Sequence, residues 1–333
     1  MSFGDVTWPS SRVTARAQEA AIAYAALLVT AGRQDRLTVM IFHRVVPAED
    51  PFFPDDPDVQ RFASIMYAVA SYFTPLSLEE ALCRLEAGTL PPRAVCVTFD
   101  DGYADNLLLA GPILKRLGIP ATVFVATGFL DGRIMWNDRV IEAVRCAKTG
   151  LMDLADLGLG VHHPGSVAQR VLLVRDLINQ LKYKAADERE RITQALALRY
   201  APNLRSPMLS RQQVLALHDE GVEIGGHTVT HPILAQIDAA SAYREIADNK
   251  DDLEALLGHR LRFFAYPNGL PGQDFYAEHA EIVRRVGYQA ALTTRPGVAT
   301  ANTDRFWLPR FTPWDRSPLR FSLRLALNMR NVV

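Results

Sequence analysis

The sequence predicts an α/β fold, either a barrel or a doubly wound sheet, from two observations. Short apolar segments bounded by Gly, Pro or Asp alternate with segments whose apolar residues have helical spacing. The alternation continues along most of the 333 residues, a length that barrels of this kind reach within one domain. Such alternation indicates parallel strands that are connected by helices.

The candidate strands are short and apolar, as parallel strands buried on both faces usually are. They lie at residues 37–43, 94–99, 121–125, 222–224, 262–266 and 289–293. Helical spacing is found at residues 106–117, 239–257 and 275–286. Two helix starts also carry the spacing of a capping box, in Ser77 with Glu80 and in Ser210 with Gln213.

Two regions stand apart from this alternation. Residues 132–208 have helical periodicity and no convincing strand, which predicts a helical insertion that covers one end of a barrel formed by residues 37–333. Residues 1–36 are expected to form a separate N-terminal helical segment. Its apolar stretch at 20–31 lacks a compact basic region and is shorter than the roughly 20 residues that cross a bilayer. We therefore expect a cytoplasmic protein, with at most peripheral contact with the inner membrane face.

The composition excludes one class of function. Lys and Arg number 36 and Asp and Glu number 37, giving a net charge of −1. Nucleic-acid binding needs cations clustered on one face, so no nucleic-acid partner is expected. The three cysteines are far apart and form no C-x-x-C pair, which is typical of reduced thiols in a cytosolic protein. None of this defines the oligomeric state.

The strongest local signal is a pair of adjacent carboxylates, Asp100 and Asp101, between the candidate strand at 94–99 and Gly102. Catalytic groups gather at the carboxyl ends of parallel strands. Neighbouring carboxylates repel each other, and a metal on one with a proton-accepting role for the other would remove this conflict. Asp and Gly also favour turns and helix caps, so the motif alone leaves a structural role equally open.

The second signal is a pair of histidines four residues apart, His227 and His231, which follows the candidate strand at 222–224. This spacing allows both imidazoles to face one divalent metal. Two unrelated imidazoles are the commoner outcome for this spacing alone, but the position of both motifs at strand ends favours a shared site. One carboxylate and two imidazoles leave a coordination position free, as in catalytic zinc sites.

These two motifs resemble those of a known family. T-F-D-D-G at residues 98–102 and H-T-V-T-H at 227–231 are similar, in order and separation, to the first two motifs of the NodB-type polysaccharide deacetylases, carbohydrate esterase family four. The resemblance covers about residues 37–312. It implies a distorted (β/α) barrel of the NodB homology type that removes acetyl groups from N-acetylated glycans. It also implies Asp100 as catalytic base and Asp101, His227 and His231 as metal ligands.

The third family motif departs from the pattern, because residues 264–269 read F-A-Y-P-N-G. Ala265 stands where many members have the Arg that orients the catalytic Asp. Arg310, in a later candidate segment, is the replacement that we expect, and pairing with a surface carboxylate is its alternative. Asn268 matches the position whose backbone N–H binds the developing oxyanion, a role that needs no particular side chain.

The usual general acid of the family, a His in a Leu-x-His motif, is also missing, because residues 291–295 read A-L-T-T-R. In a circularly permuted branch of the family a His on the first strand takes this role. Here His43 ends the first candidate strand, so His43 is the predicted acid, with a buried structural imidazole as the alternative.

Contacts with the sugar are predicted for Trp136, Tyr266 and Pro267. Trp136 opens the predicted insertion, where it could stack on a sugar ring or anchor the insertion, and Trp314 has the same two interpretations. Tyr266 and Pro267, in the third motif, complete the predicted substrate contacts.

The predicted function is the metal-dependent removal of an acetyl group from an N-acetylated sugar in a glycan or glycan precursor. One divalent metal, zinc first and cobalt or nickel as substitutes, would polarise the amide carbonyl and position a water. Asp100 would take the proton of that water and His43 would protonate the departing amine. Two alternatives are another C–N hydrolase acting on a small amide, which a substrate panel would reveal, and a glycan-binding protein without turnover. The intact carboxylates and histidines argue against the second.

Overall fold

The computed structural model describes residues 35–148 and 150–332. The helical segment predicted for residues 1–36 lies outside the described residues, apart from its last two positions. The chain divides into two compact units. Among the described residues, the first unit contains 35–48, Asp55–Leu130 and 209–332, and the second contains Glu49–Pro54 and Asp131–Met208.

Strands and helices alternate along the described chain. The strands are β1 (Thr38–Phe42), β2 (Thr74–Pro75), β3 (Ala94–Phe99), β4 (Ala121–Val125), β5 (Met152–Leu154), β6 (Gly160–His162), β7 (Glu223–Gly226), β8 (Phe263–Ala265) and β9 (Ala290–Leu292). The helices are α1 (Val59–Tyr72), α2 (Leu78–Glu86), α3 (Gly111–Leu117), α4 (Trp136–Cys146), α5 (Val167–Lys182), α6 (Ala186–Tyr200), α7 (Arg211–Asp219), α8 (Ala239–Leu257), α9 (Ala277–Val286) and α10 (Pro318–Asn328). Each of the candidate strands is present, with small differences at its ends.

The first unit is built on one parallel sheet. Its strand order is β1-β3-β4-β7-β8-β9, and β2 pairs with the start of β3. Beyond β9, Leu308 makes a parallel bridge to Leu292, and Phe311 makes a parallel bridge to Met40 of β1. The segment at 308–311 therefore lies between the two ends of the sheet and curls it toward closure. This confirms the predicted α/β fold with a distorted barrel.

Both faces of this sheet are buried, and the alternation of side chains along β3 shows what each face packs against. Val95 and Val97 pack in a large hydrophobic cluster with residues of the surrounding helices, including α1 and α8. Ala94 and Cys96 pack in a second cluster, with residues of α2 and of the other strands. Because side chains alternate with a period of two, the face of Ala94 and Cys96 ends at Asp100.

The second unit contains α4, α5 and α6 and has a hydrophobic cluster of its own. It also contains an antiparallel strand pair, β5 with β6, so the expectation of helices alone at 132–208 is wrong. Met152 and Leu154 are buried in the cluster, whereas Asp153 between them is exposed. Strands of three residues are too short to produce a recognisable period of two in the sequence.

The two predicted capping boxes differ. Ser210 accepts a hydrogen bond from the backbone N–H of Gln213, whose side chain accepts one from Ser210, so this box is complete. Ser77 accepts from the N–H of Glu80, but the Glu80 carboxylate pairs with Arg84 instead. Among the described helices, none combines the length and the apolarity that crossing a bilayer requires.

Candidate active site

The loops that follow β3, β7 and β8 carry most of the predicted site residues, and their backbone is strained. Six non-glycine residues of the described chain have positive φ, and four of these lie in the three loops: Asp101 (75°), Thr228 (64°), His231 (54°) and Asn268 (58°). Each such conformation costs on the order of 1 kcal/mol or more and is typical of functional sites. Because β3, β7 and β8 are parallel strands of one sheet, these loops lie at the same edge of it and form one candidate site.

Asp101, His227 and His231 are brought together as the sequence predicts. The Nε2 atoms of both histidines lie 3.3 Å from Oδ1 of Asp101, and one ligand atom from each residue lies within 4.8 Å of the others. Asp101 is only 6% exposed, and its Oδ1 has no hydrogen-bond partner among the described residues. A buried carboxylate oxygen without a partner is unfavourable, and a cation between the three groups would satisfy it.

The histidines are prepared to act as ligands. Nδ1 of His227 lies 2.7 Å from the carbonyl oxygen of Ala265. A carbonyl can only accept, so Nδ1 carries a proton and Nε2 is the nitrogen that would bind a metal between His227 and Asp101. Burial lowers the pKa of His231 to about 4, which keeps this imidazole neutral.

The charges around the three residues favour a cation. Burial alone would raise the pKa of Asp101, but interactions with the imidazoles of His231, His227 and His43 lower it, so Asp101 is a carboxylate. Burial alone would lower the pKa of His227, but Asp100 and Asp101 raise it. The same two carboxylates that favour a proton on Nε2 of His227 favour a metal there. One carboxylate and two imidazoles fit a divalent metal such as zinc.

Two residues of helix α8 bind the loop that carries both histidines, and the sequence analysis did not identify them. Oδ1 of Asn249 accepts from the backbone N–H of His227 at 3.1 Å. Oε2 of Glu245 accepts from the N–H groups of Val229 and Thr230, at 2.8 Å each. Glu245 and Asn249 are four residues apart and therefore share one face of the helix. The available signal in the sequence was the polar Asn249 on the apolar face of an amphipathic helix, three residues after Ile246 and four before Leu253.

Asp100 is held by Arg310 through two hydrogen bonds of 2.7 Å, one to each carboxylate oxygen. Arg310 is fully buried, and its Nε donates to the carbonyl of Thr293 at 2.7 Å, so its partner is not a surface carboxylate. Burial alone would raise the pKa of Asp100, but Arg310, His227 and His43 lower it. Asp100 is thus an ionised, oriented carboxylate that can accept a proton.

His43 follows β1, at the same end of the sheet as Asp100, whose backbone N–H donates to the carbonyl of Phe42. The residue is exposed, so the alternative of a buried structural imidazole is not what the structure shows. The charge of His43 contributes to lowering the pKa of both Asp100 and Asp101. His43 therefore lies within electrostatic range of the two carboxylates.

Asn268 lies in the turn after β8. Its carbonyl accepts a hydrogen bond of 2.7 Å from Oγ1 of Thr294. Within the described chain, its backbone N–H has no acceptor, which leaves this donor available for a ligand.

The predicted role of Tyr266 in binding sugar is wrong. Its side chain is fully buried, stacks on Phe275 with ring centroids 3.7 Å apart, and donates from its hydroxyl to the carbonyl of Phe306. Pro267 is buried as well, which likewise leaves it no surface for a sugar. The alternation of side chains along β8 explains why Tyr266 is buried. Tyr266 points into the large hydrophobic cluster that contains residues of α1 and α8, whereas Ala265 points into the second cluster.

The two tryptophans differ in their surroundings. Trp136 is half-buried at the start of α4, where it packs against the hydrophobic cluster of the second unit. The guanidinium of Arg189 lies 5.0 Å from its ring centroid. These contacts favour the interpretation of Trp136 as an anchor within that unit. Trp314, in the first unit, is 54% exposed, and Arg324 lies 4.4 Å from its ring centroid.

Two known proteins are similar to this chain in sequence. A Bacillus subtilis protein assigned as a polysaccharide deacetylase, YxkH, is 21% identical over 239 residues, which are 72% of this chain and 58% of that protein. The poly-beta-1,6-N-acetyl-D-glucosamine N-deacetylase of Staphylococcus aureus is 32% identical over 118 residues, which are 32% of this chain and 41% of that enzyme. The matches thus span less than two-thirds of either relative.

Two solved structures share the fold. The deacetylase PplD of Streptococcus pyogenes, in complex with acetate, gives a TM-score of 0.54 at 21% identity and covers 83% of this chain and 91% of that one. IcaB from Ammonifex degensii gives 0.56 at 21% identity and covers 87% of this chain and 97% of that one. At this level of identity the likeness shows a common architecture.

The model of one protein family, described as polysaccharide deacetylase, matches residues 87–291, which are more than half of the chain. The matched segment contains both carboxylates and both histidines of the candidate site, whereas His43 and Arg310 lie outside it. The chain belongs to the polysaccharide deacetylase family.

Proposed function

We propose that this protein is a metal-dependent deacetylase that hydrolyses the acetamide group of an N-acetylated sugar. The observation that carries the proposal is the buried Oδ1 of Asp101, which lacks a hydrogen-bond partner among the described residues and faces two imidazole nitrogens at 3.3 Å. An ionised carboxylate, Asp100, lies beside it.

Asp101, His227 and His231 would hold the metal. When bound, a divalent metal acts as a Lewis acid on the amide carbonyl and lowers the pKa of a water. Zinc suits a site of one carboxylate and two imidazoles, and cobalt or nickel could replace it.

The remaining residues supply the proton transfers. Asp100 accepts the proton of the attacking water, since its charge is maintained and its orientation is fixed by Arg310. Each carboxylate oxygen has a second lone pair, so pairing with Arg310 leaves acceptor capacity. The backbone N–H of Asn268 donates to the developing oxyanion, and His43 protonates the leaving amine. The products are acetate and a free amino sugar.

The staphylococcal relative supports an N-acetylhexosamine as the substrate class, because that enzyme is named for its action on a polymer of N-acetylglucosamine. The proposal is tested by incubating the purified full chain with β-1,6- and β-1,4-linked N-acetylglucosamine oligomers and measuring released acetate, with small linear and cyclic amides in parallel. Release from an N-acetylated sugar is the expected result. Turnover of small amides alone would favour the other C–N hydrolase, and no turnover of any compound by metal-loaded protein would sink the proposal. The cytoplasmic location stays a prediction that cell fractionation would test.

A further inference from the structure

The loop after β3 is fastened to the chain that follows β1. Nδ2 of Asn106 donates to the carbonyl of His43 at 2.9 Å. Oδ1 of Asp105 accepts from the backbone N–H of Val45 at 3.1 Å, and its Oδ2 accepts from Nε of Arg44 at 2.9 Å. Asp105 and Asn106 thus make a contact with each of three consecutive residues, of which His43 is the first.

These contacts are shielded from water. Asp105 is 8% exposed and Asn106 is 2% exposed. The two side chains also bind each other at 3.3 Å, and the guanidinium of Arg44 lies 4.7 Å from the ring centroid of Tyr103, in the same loop. Hydrogen bonds among buried polar groups are stronger than exposed ones, and connected networks of them hold a single geometry.

The side chain of His43, in contrast, is exposed. Packing therefore constrains this imidazole little, and its position relative to Asp100 depends on how its backbone is held. A general acid must reach hydrogen-bonding distance of the leaving nitrogen, and a displacement of about 1 Å can cost roughly 100-fold in rate.

We propose that Asp105 and Asn106 are positioning residues, which fix the backbone of His43 so that its imidazole reaches the leaving amine. This inference rests on the proposed function, in which His43 is the general acid. The loop at 100–106 then carries the base and one metal ligand and also holds the acid at a set distance from both.

The first experiment compares two substrates in a double-mutant cycle. Asn106→Ala removes the donor to the His43 carbonyl. We expect it to slow deacetylation of an N-acetylglucosamine oligomer by about 10- to 100-fold. Hydrolysis of p-nitrophenyl acetate, whose leaving group needs no proton, should fall much less. In the double variant with His43→Ala, the amide rate should be no lower than in His43→Ala alone.

A matched control is available in the same unit. Nδ2 of Asn328 donates to the carbonyl of Gly297 at 3.1 Å, so Asn328→Ala removes a bond of the same kind away from the site. It should leave the ratio of amide to ester rates unchanged. Equal losses on both substrates in Asn106→Ala, or losses that multiply in the double variant, would show a general structural role and overturn the inference. If Asn106→Ala does not fold, Asp105→Asn, which keeps an acceptor for Val45 but loses the ion pair, is tested for the same pattern.

A second readout does not depend on turnover. In protein labelled with ¹³Cε1-histidine, the NMR signal of His43 is identified by its loss in His43→Ala. Asn106→Ala should shift or broaden this signal and leave the signals of His227 and His231 in place, and Asn328→Ala should change none of them. An unchanged His43 signal would refute positioning by Asn106 even in an active enzyme. A changed signal in a protein without deacetylase activity would instead refute the proposed function alone.

Discussion

Arg310 donates one hydrogen bond of 2.7 Å to each carboxylate oxygen of Asp100, across a separation of 210 residues. Both side chains are buried, and Arg310 reaches Asp100 from the segment that lies between β9 and β1. Burying an ion pair gives little net stability, because desolvation offsets most of the attraction. The pair is better explained by what it does to Asp100, whose charge and orientation it maintains.

Arg310→Lys tests that explanation. Lysine has no planar fork and cannot bind both oxygens, so we expect lower turnover with the metal retained. The pKa of Asp100 should rise, and the acidic limb of the pH–rate profile should move to higher pH. The lowered pKa also means that ionised Asp100 adds to the free energy of unfolding. This contribution is present above the ordinary pKa of 3.8 and is lost as the pH falls through the lower pKa of the folded state. An acidic limb that stays in place in Arg310→Lys would contradict this role.

Asp100 and Asp101 should respond differently to the same substitution. Asp100→Asn is expected to retain metal and lose about two to four orders of magnitude in turnover, the typical contribution of a general base. Asp101→Asn is expected to lose affinity for the metal, because a ligand is replaced by a neutral amide. Metal content by mass spectrometry and acetate release separate the two. Equal loss of metal in both variants would mean that the proposed division of roles is incorrect.

The metal itself can be counted. We expect close to one divalent ion per chain and loss of activity on chelation, restored by adding zinc. His231→Ala should weaken metal binding because it leaves two of three protein ligands. His259→Ala, which removes an exposed imidazole away from the site, is the matched control and should bind metal normally. Full activity of metal-free protein would exclude the proposed site.

His43→Ala should keep the fold and the metal and lose most amide turnover. An amide cannot easily expel an unprotonated amine, so loss of the acid should cost about two to four orders of magnitude. Activated acetate esters should be affected much less, because their leaving groups need no proton. The measurement is the rate of hydrolysis of an N-acetylated sugar and of an activated acetate ester by the same variant. Normal deacetylation of the sugar by His43→Ala would show that this residue is not the general acid.

Tyr266→Phe tests whether the Tyr266 side chain takes part in sugar binding. The variant loses only the hydrogen bond to the Phe306 carbonyl, so the free energy of unfolding should fall by about 1 kcal/mol. KM for the sugar should stay unchanged because the side chain is fully buried. A raised KM in Tyr266→Phe would show that Tyr266 does contribute to sugar binding.

Trp314→Ala, at an exposed ring in the same unit, should raise KM if that ring contacts the sugar.

The sequence by itself determined six strands of the parallel sheet and the residues at their ends. A buried parallel strand is a short apolar run with sharp boundaries, and the polar residues that follow it lie at the edge of the sheet. Asp100 and Asp101 after β3, and His227 after β7, are therefore located by local pattern alone. The expected barrel followed from the same alternation together with the family resemblance.

The tertiary structure decided which distant residues meet and which way a side chain points. Both faces of the sheet are buried, so the apolar sequence of β8 could not show that Tyr266 points into the large hydrophobic cluster and Ala265 into the second one. The pairing of Asp100 with Arg310 required the segment at 308–311 to lie between β9 and β1, and no local pattern encodes that placement. The contact of Asn249 with the backbone of His227 likewise depends on where α8 packs against the sheet, which no local pattern encodes. Contacts between residues far apart in sequence depend on how the whole sheet curls, which is fixed only when all its strands pack together.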